Sequence, residues 1–391
     1  LINGMKYLKL TIYPLEEFEE SAEFIQSLAK FFDKTTNETV LYAYCEVFSQ
    51  LFLPLANVMT AEANYPSWVE GVEKVYYKAF KLWRQSLGST SSPTSLALPT
   101  LNTSGVSSNN GWSHSLILMA SALSVSRKEL FSEVWVNVIN ENSFKLKPKV
   151  EAEDKTTYIM SITRLIWVYL NRLPDTLNNT IKRLDAIFEL LFFHNNATSK
   201  KHQWISPDLF LIGSLIELIR IVGYNHLNYV LEQVLIRLLN MSFNGTSLEN
   251  AFPEKLIVVI KSYLAILKDY EIGDKPSFPA EFPNEQKKKI NEFLFISKNS
   301  TNLAAHEEIC RTLVLLLKIL DSQYGSGFNN ESNSLFSLGS SKSQSSFGFH
   351  FNYDPTPQTT KEVHIQLFAT VIEAIPWGIV GASGDNNQNL I

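Results

Sequence analysis

The residues whose chemistry could be put to use are mostly cationic. Lys145, Lys147 and Lys149 alternate through one short stretch, Lys200 and Lys201 are adjacent, and Lys287, Lys288 and Lys289 form a run. Clusters of this kind can meet an acidic or phosphorylated partner as diffuse electrostatic patches. Their other reading is a solvated loop or helix face. Arg164 and Trp167, one helical turn apart, are the residue types that dominate interface hot spots. An indole on an inner helix suits the core equally well, and the sequence leaves that choice open.

Catalytic chemistry finds no comparable footing. The histidines at 114, 194, 202, 226, 306, 350 and 364 include no pair at metal-ligand helical spacing, and no cysteine stands near one in a zinc pattern. Gly378, Gly381 and Gly384 in WGIVGASGDN lack the strand context and spacing of a phosphate-cradling loop. There is no Gly-x-Ser-x-Gly elbow, and the scattered carboxylates suggest no acid and base pair. The expectation is a non-enzymatic chain with no catalytic residue, no cofactor and no metal. A site formed across helices is the enzymatic alternative, and it would need a deep pocket with converging carboxylates or histidines.

The elements that must carry these residues are helices. Tyr158, Ile162, Leu165, Ile166, Tyr169 and Leu173 fall on one apolar stripe, with Met160 and Trp167 on the opposite side, so this helix is expected to be covered on two faces. Residues 6–13 alternate and predict a short extended segment closed by Pro14. Helical patterning covers Glu16 to Phe32, where carboxylates crowd the positive end of the helix dipole. It continues from Thr39 to Ala63 with a kink at Pro54, and from Ser67 to Arg84. Further helices are expected at 114–125, 128–140, 174–193, 207–222, 226–241 and 252–271. The one at 207–222 is apolar almost all round and should be buried. Lys275 to Pro283 reads as a linker, followed by a helix carrying Lys287, Lys288 and Lys289, another at Asn302 to Tyr324, and a last one at Thr360 to Ile375.

Two stretches rich in Ser, Asn and Gly, 86–112 and 325–358, interrupt this pattern and are expected to be disordered insertions. The chain then divides into first helical repeats at 1–85, central repeats of the same array at 113–275, continuing helices at 276–324, and a terminal helix and tail at 359–391. Helices in consecutive antiparallel pairs without a sheet predict an all-α, HEAT/armadillo-like solenoid, although no repeated consensus stands out.

Hydrophobic residues at 45% and charged residues at 19% suit a folded core. A net charge of −5 argues against a nucleic-acid surface, which requires clustered positive charge. No apolar run approaches the ~20 residues of a membrane span. Cys45 and Cys310 both sit in apolar helical patterns and are expected as buried free thiols in the cytosol. The opening LINGMKYLKL has no signal-peptide pattern and reads as an internal start of a longer chain.

The segments MKYLKLTIYPLEEFEESAEFIQSLAKFF, LFLPLANVMTAEANYPSWVEGVEKVYYKAF, TRLIWVYLNRL and FPEKLIVVIKSYLAILKDYEIGDKPSFP resemble, in that order, the amino-terminal cell-morphogenesis region of the Furry family. The resemblance runs from Met5 to about Pro279, and the Asn-rich insertions point to a fungal member. It implies a non-catalytic scaffold that binds an NDR-class protein kinase and its Mob coactivator. Its setting would be the cytoplasm, at sites of polarised growth or the cell cortex. Contacts with other parts of its own long chain are a further expected partnership. A helical transport or cytoskeleton-binding module is the alternative, using the same architecture without a kinase.

Overall fold

The computed structural model describes residues 2–5, 7–88, 110–193, 203–281, 303–331 and 360–374. The described residues form an all-α structure with no strand. After a short helix α1 (Ile2–Met5) come α2 (Leu15–Lys34), α3 (Glu38–Phe52), α4 (Pro66–Gly88), α5 (Asn110–Ser124), α6 (Lys128–Asn142) and α7 (Ala152–Arg172). Then follow α8 (Leu177–Phe188), α9 (Leu209–Asn225), α10 (Leu227–Tyr229), α11 (Arg237–Ser242), α12 (Pro253–Ile272), α13 (Leu303–Glu331) and α14 (Thr360–Ala374).

Local sequence sets most of these boundaries. Asn37 accepts from the Val40 N–H at 3.1 Å and Asp208 from the Leu211 N–H at 2.8 Å, each capping the helix that follows. Glu16 and Glu17 occupy the first turn of α2 and Lys34 its last, in the order the helix dipole favours. Gly273 closes α12 in the left-handed conformation, with φ 70°. Two expectations need correction. The helix expected to kink at Pro54 and reach Ala63 instead ends at Phe52, because Pro54 has no N–H to continue the ladder; the chain resumes as single 3-10 turns at Leu55–Asn57 and Ala61–Asn64. The helices also run into both expected insertions: α4 reaches Gly88 and α5 starts at Asn110, inside 86–112, and α13 runs on through Glu331, past the boundary expected at 325.

The alternating segment at 8–12 is non-helical and joins no sheet among the described residues; Leu10 and Ile12 are half-buried against the core. Helical patterning at 174–193 and 226–241 is kept, but each stretch contains a π-helical turn, Glu189–Phe193 and Val230–Ile236. Arg237 links the two, pairing with Glu189 while its guanidinium lies 3.8 Å over the Phe193 ring.

The helices pack in a continuous row. α2 lies on α4, α4 on α5, α5 on α7, α7 on α9, α9 on α12 and α12 on α14, while α3 packs on α5 and α6 lies beside α5 and α7. One apolar core follows this row from Phe18 to Val371. α9 and α12 approach so closely that a Cβ on Gly223 would stand 2.3 Å from Ile266 Cδ1, so a larger residue there would make the Ile266 side chain shift. α9 is buried on nearly every side, as its composition requires. The segment Glu38–Asn57 is the one stretch among the described residues long and apolar enough to cross a membrane, and 61% of it is buried inside the structure. Cys45 is buried and Cys310 only partly so; both thiols are free.

Candidate functional site: the strapped face of the central helix

α7 sits in the middle of the row, and every residue from Asp154 to Tyr169 is buried. Its apolar stripe faces neighbouring helices: the Tyr158 hydroxyl donates to the Ile139 carbonyl at 2.7 Å, and Tyr169 stacks on Trp135 at 4.7 Å. What remains is a helix with charged residues inside the protein. Two groups of them are handled in opposite ways.

The first lies at the amino-terminal end of α7. Lys145 Nζ is 2.5 Å from Asp154 Oδ2, with both side chains 11% exposed, and it lies 4.0 Å over the ring of Trp112. Beside it, the indole N–H groups of Trp83 and Trp112 both donate to Asn142 Oδ1 at 2.8 Å, and the Asn142 amide donates to the Val138 carbonyl. Every polar group of this node meets a partner. Close by, Lys155 is buried with its ammonium 3.4 Å from the Pro148 carbonyl; burial lowers its pKa, and Glu151 and Asp208 oppose that shift.

The second group lies about three to five turns further on. Arg164 is fully buried, and its Nε and Nη2 donate to the carbonyls of Pro279 and Ala280 at 3.0 and 2.9 Å. Trp167 Nε1 donates to the Pro276 carbonyl at 3.0 Å, and its ring meets Phe278 edge-on at 5.3 Å. The Phe278 N–H donates to Asn57 Oδ1 at 3.1 Å. Residues 276–280 therefore form an extended strap that runs antiparallel to α7, Pro276 over Trp167 and Ala280 over Arg164. Arg172 completes the face, donating to the carbonyls of Ser124 and Ala56, with its guanidinium 5.9 Å from the Trp167 ring. Neither arginine has a carboxylate partner among the described residues; burial alone pushes both guanidinium pKa values down to about 10, so both stay charged at neutral pH.

The residues expected to bind partners are thus placed very differently. Arg164 and Trp167 come together, and what they hold is the chain's own strap. Lys145 is corrected from a member of a solvated patch to a buried ion pair; Lys147 and Lys149 stay exposed beside it. Lys200 and Lys201, and the helix expected to carry Lys287, Lys288 and Lys289, lie outside the described residues, as do 89–109 and 332–358 of the two expected insertions and the tail beyond 374. Asn57, Asn142, Arg172 and Phe278 were not singled out by sequence. The usable signal was Phe278 itself, an aromatic residue set between the prolines of an apparent linker. No group of His, Cys, Asp and Glu able to hold a metal occurs among the described residues.

Comparison with known proteins fits this architecture to a family. The family described as "Cell morphogenesis N-terminal" matches residues 1–389. The chain is 37% identical over 376 residues to "Cell morphogenesis protein PAG1" of Saccharomyces cerevisiae, covering 96% of this chain and 14% of that protein. It is 26% identical over 285 residues to "Cell polarity protein mor2" of Schizosaccharomyces pombe, covering 71% of this chain and 11% of the relative. The chain thus spans well under a fifth of the length of either fungal relative. No solved structure matches. A match over almost the whole chain, with ordered resemblance from Met5 to the strap, places this chain in the Furry-type cell-morphogenesis family, in the region that family describes as amino-terminal.

Proposed function

We propose that this chain is a non-catalytic arm of a scaffold, a HEAT/armadillo-like solenoid that supports signalling by an NDR-class kinase and its Mob coactivator during polarised growth. The observation that carries this reading is the family match over residues 1–389, whose fungal relatives are named for cell morphogenesis and cell polarity. The continuous row of helices supports it physically, since an extended stack offers long surfaces on which two partners can be held at high effective concentration. The protein would work in the cytoplasm, at growth sites or the cell cortex.

Exposed Lys147 and Lys149, together with Lys200, Lys201, Lys287, Lys288 and Lys289, are proposed as the electrostatic part of the docking surface. The test is a quantitative pulldown of this chain against purified NDR-class kinase, Mob and both together, at two salt concentrations. Binding that weakens with salt, and weakens further when the exposed lysines are reversed to glutamate, is the expected result. Absence of binding at both salts would remove kinase docking from this part of the scaffold.

A further inference from the structure

The strap at 276–280 is bound to α7 as a peptide ligand is bound to a receptor. Its polar contacts with α7 all run from side-chain donors, Trp167 and Arg164, to main-chain carbonyls of Pro276, Pro279 and Ala280. The two prolines have no N–H, so this edge of the strap offers acceptors alone. The side chain of Phe278 supplies the aromatic contact, against Trp167. Recognition thus depends on an extended backbone with an aromatic residue between prolines, and little on the rest of the sequence. Asp274, Lys275, Ser277 and Glu281 are exposed.

The electrostatics of the face are incomplete with the strap in place. Arg164, buried, and Arg172, half-buried, bring two positive charges to either side of Trp167, and main-chain carbonyls are their partners. Burying a guanidinium without a carboxylate is unfavourable, whereas a hydrogen bond from it to a carboxylate is about twice as strong as one between neutral groups. A segment with the same backbone and a carboxylate at the place of Ala280 would bind this face better than the strap does.

We propose that the α7 face beneath the strap is an acceptor groove for an extended partner segment, one carrying an aromatic residue between prolines and a carboxylate that reaches Arg164, and that residues 276–280 occupy it in cis. The strap is then an exchangeable occupant. A partner's segment gains access by displacing it, and the strap tunes the apparent affinity by the fraction of time it is away. This holds whichever protein supplies the segment, so it stands or falls apart from kinase binding.

The test uses two fluorescein-labelled peptides, one matching residues 274–281 and one with Ala280→Asp, titrated by anisotropy against the 391-residue chain and its Phe278→Ala variant. Hydrogen exchange at the residue 278 amide, which donates to Asn57, reports whether the strap has left, and a thermal melt reports that the fold is intact. The Phe278→Ala chain should bind both peptides more tightly than the parent chain, and the Asp peptide about tenfold more tightly than the natural one. Adding Arg164→Gln should abolish that preference. Equal affinity for the two peptides with Arg164 present, or no saturable binding once the residue 278 amide exchanges freely, would overturn the proposal. Should Phe278→Ala leave the strap protected, Phe278→Asp is the second variant; protection in both would show that the groove does not exchange its occupant.

Discussion

The two ends of α7 bury charge under different rules. At its start, Lys145 and Asp154 neutralise each other, and Asn142 receives two indoles from helices separated by an entire segment of chain. Further along, Arg164 and Arg172 are held by carbonyls alone, some of them from a strap more than a hundred residues away in sequence. The first arrangement is closed: every partner comes from the helices, or the turn between them, that meet there. The second leaves positive charge uncompensated and relies on a segment that could come away. A buried ion pair commits a region to the global fold, since removing one member strands the other; an uncompensated charge is a place where something else can be accommodated.

Substitutions can break this contrast, and the largest effect should come at the closed end. Asp154→Ala would leave the Lys145 ammonium buried without its counter-charge, and we expect a loss of about 3–5 kcal/mol in urea denaturation. A loss below about 1 kcal/mol would show that the node is solvated and the contrast false. Next, Asn142→Ala removes the acceptor of two buried indole N–H groups and should cost about 2–4 kcal/mol. Its diagnostic is that Trp83 and Trp112 lose their shared environment together, readable in near-ultraviolet circular dichroism.

At the strapped end the expected effect on global stability is smaller. Arg164→Met replaces an uncompensated charge by a side chain of similar length, so the denaturation midpoint should correspond to a change within about 1 kcal/mol of the parent. The Phe278 amide, held by Asn57, should nevertheless exchange faster, because two hydrogen bonds to the strap are gone. A loss comparable to that of Asp154→Ala would place the strap in the global cooperative unit and remove the distinction.

The smallest effect concerns pH. Lys155 lies between the two groups, and burial lowers its folded pKa below the unfolded value near 10.5. The unfolded chain therefore binds more protons in the interval between those two values, and stability contributed by this residue rises with pH across it. Lys155→Met should flatten that rise, which denaturation midpoints measured from pH 8 upward would register. An unchanged pH profile would mean that Glu151 and Asp208 offset the effect of burial on this ammonium.

Much of the all-α architecture was legible because it is written in local periodicity. The stripe from Tyr158 to Leu173 and the all-round apolarity of α9 are properties of a helix alone, and both helices are buried as expected. Arg164 and Trp167 could be singled out by residue type, but what they touch could not. Their partner lies over a hundred residues on, in a stretch whose prolines read as a linker because extended backbone carries no period. Asn142 was silent for the same reason: its role exists only where two distant indoles converge. Pro54 shows a different failure. The apolar pattern continues past it to Met59, yet the missing N–H ends the helix, so a chemical exception overrode a good periodic signal.

The convergence of Trp83 and Trp112 on Asn142 has a consequence for how this chain can vary in length. α4 ends at Gly88 and α5 begins at Asn110, and the two indoles hold the flanking helices at one point in the core whatever connects them. With the ends already fixed, the entropy of closing the connection grows only logarithmically, about 0.6 kcal/mol for each doubling of its length. The site is a natural place to splice in sequence: a tag, a reporter domain or a run of new residues can be carried there at little thermodynamic penalty.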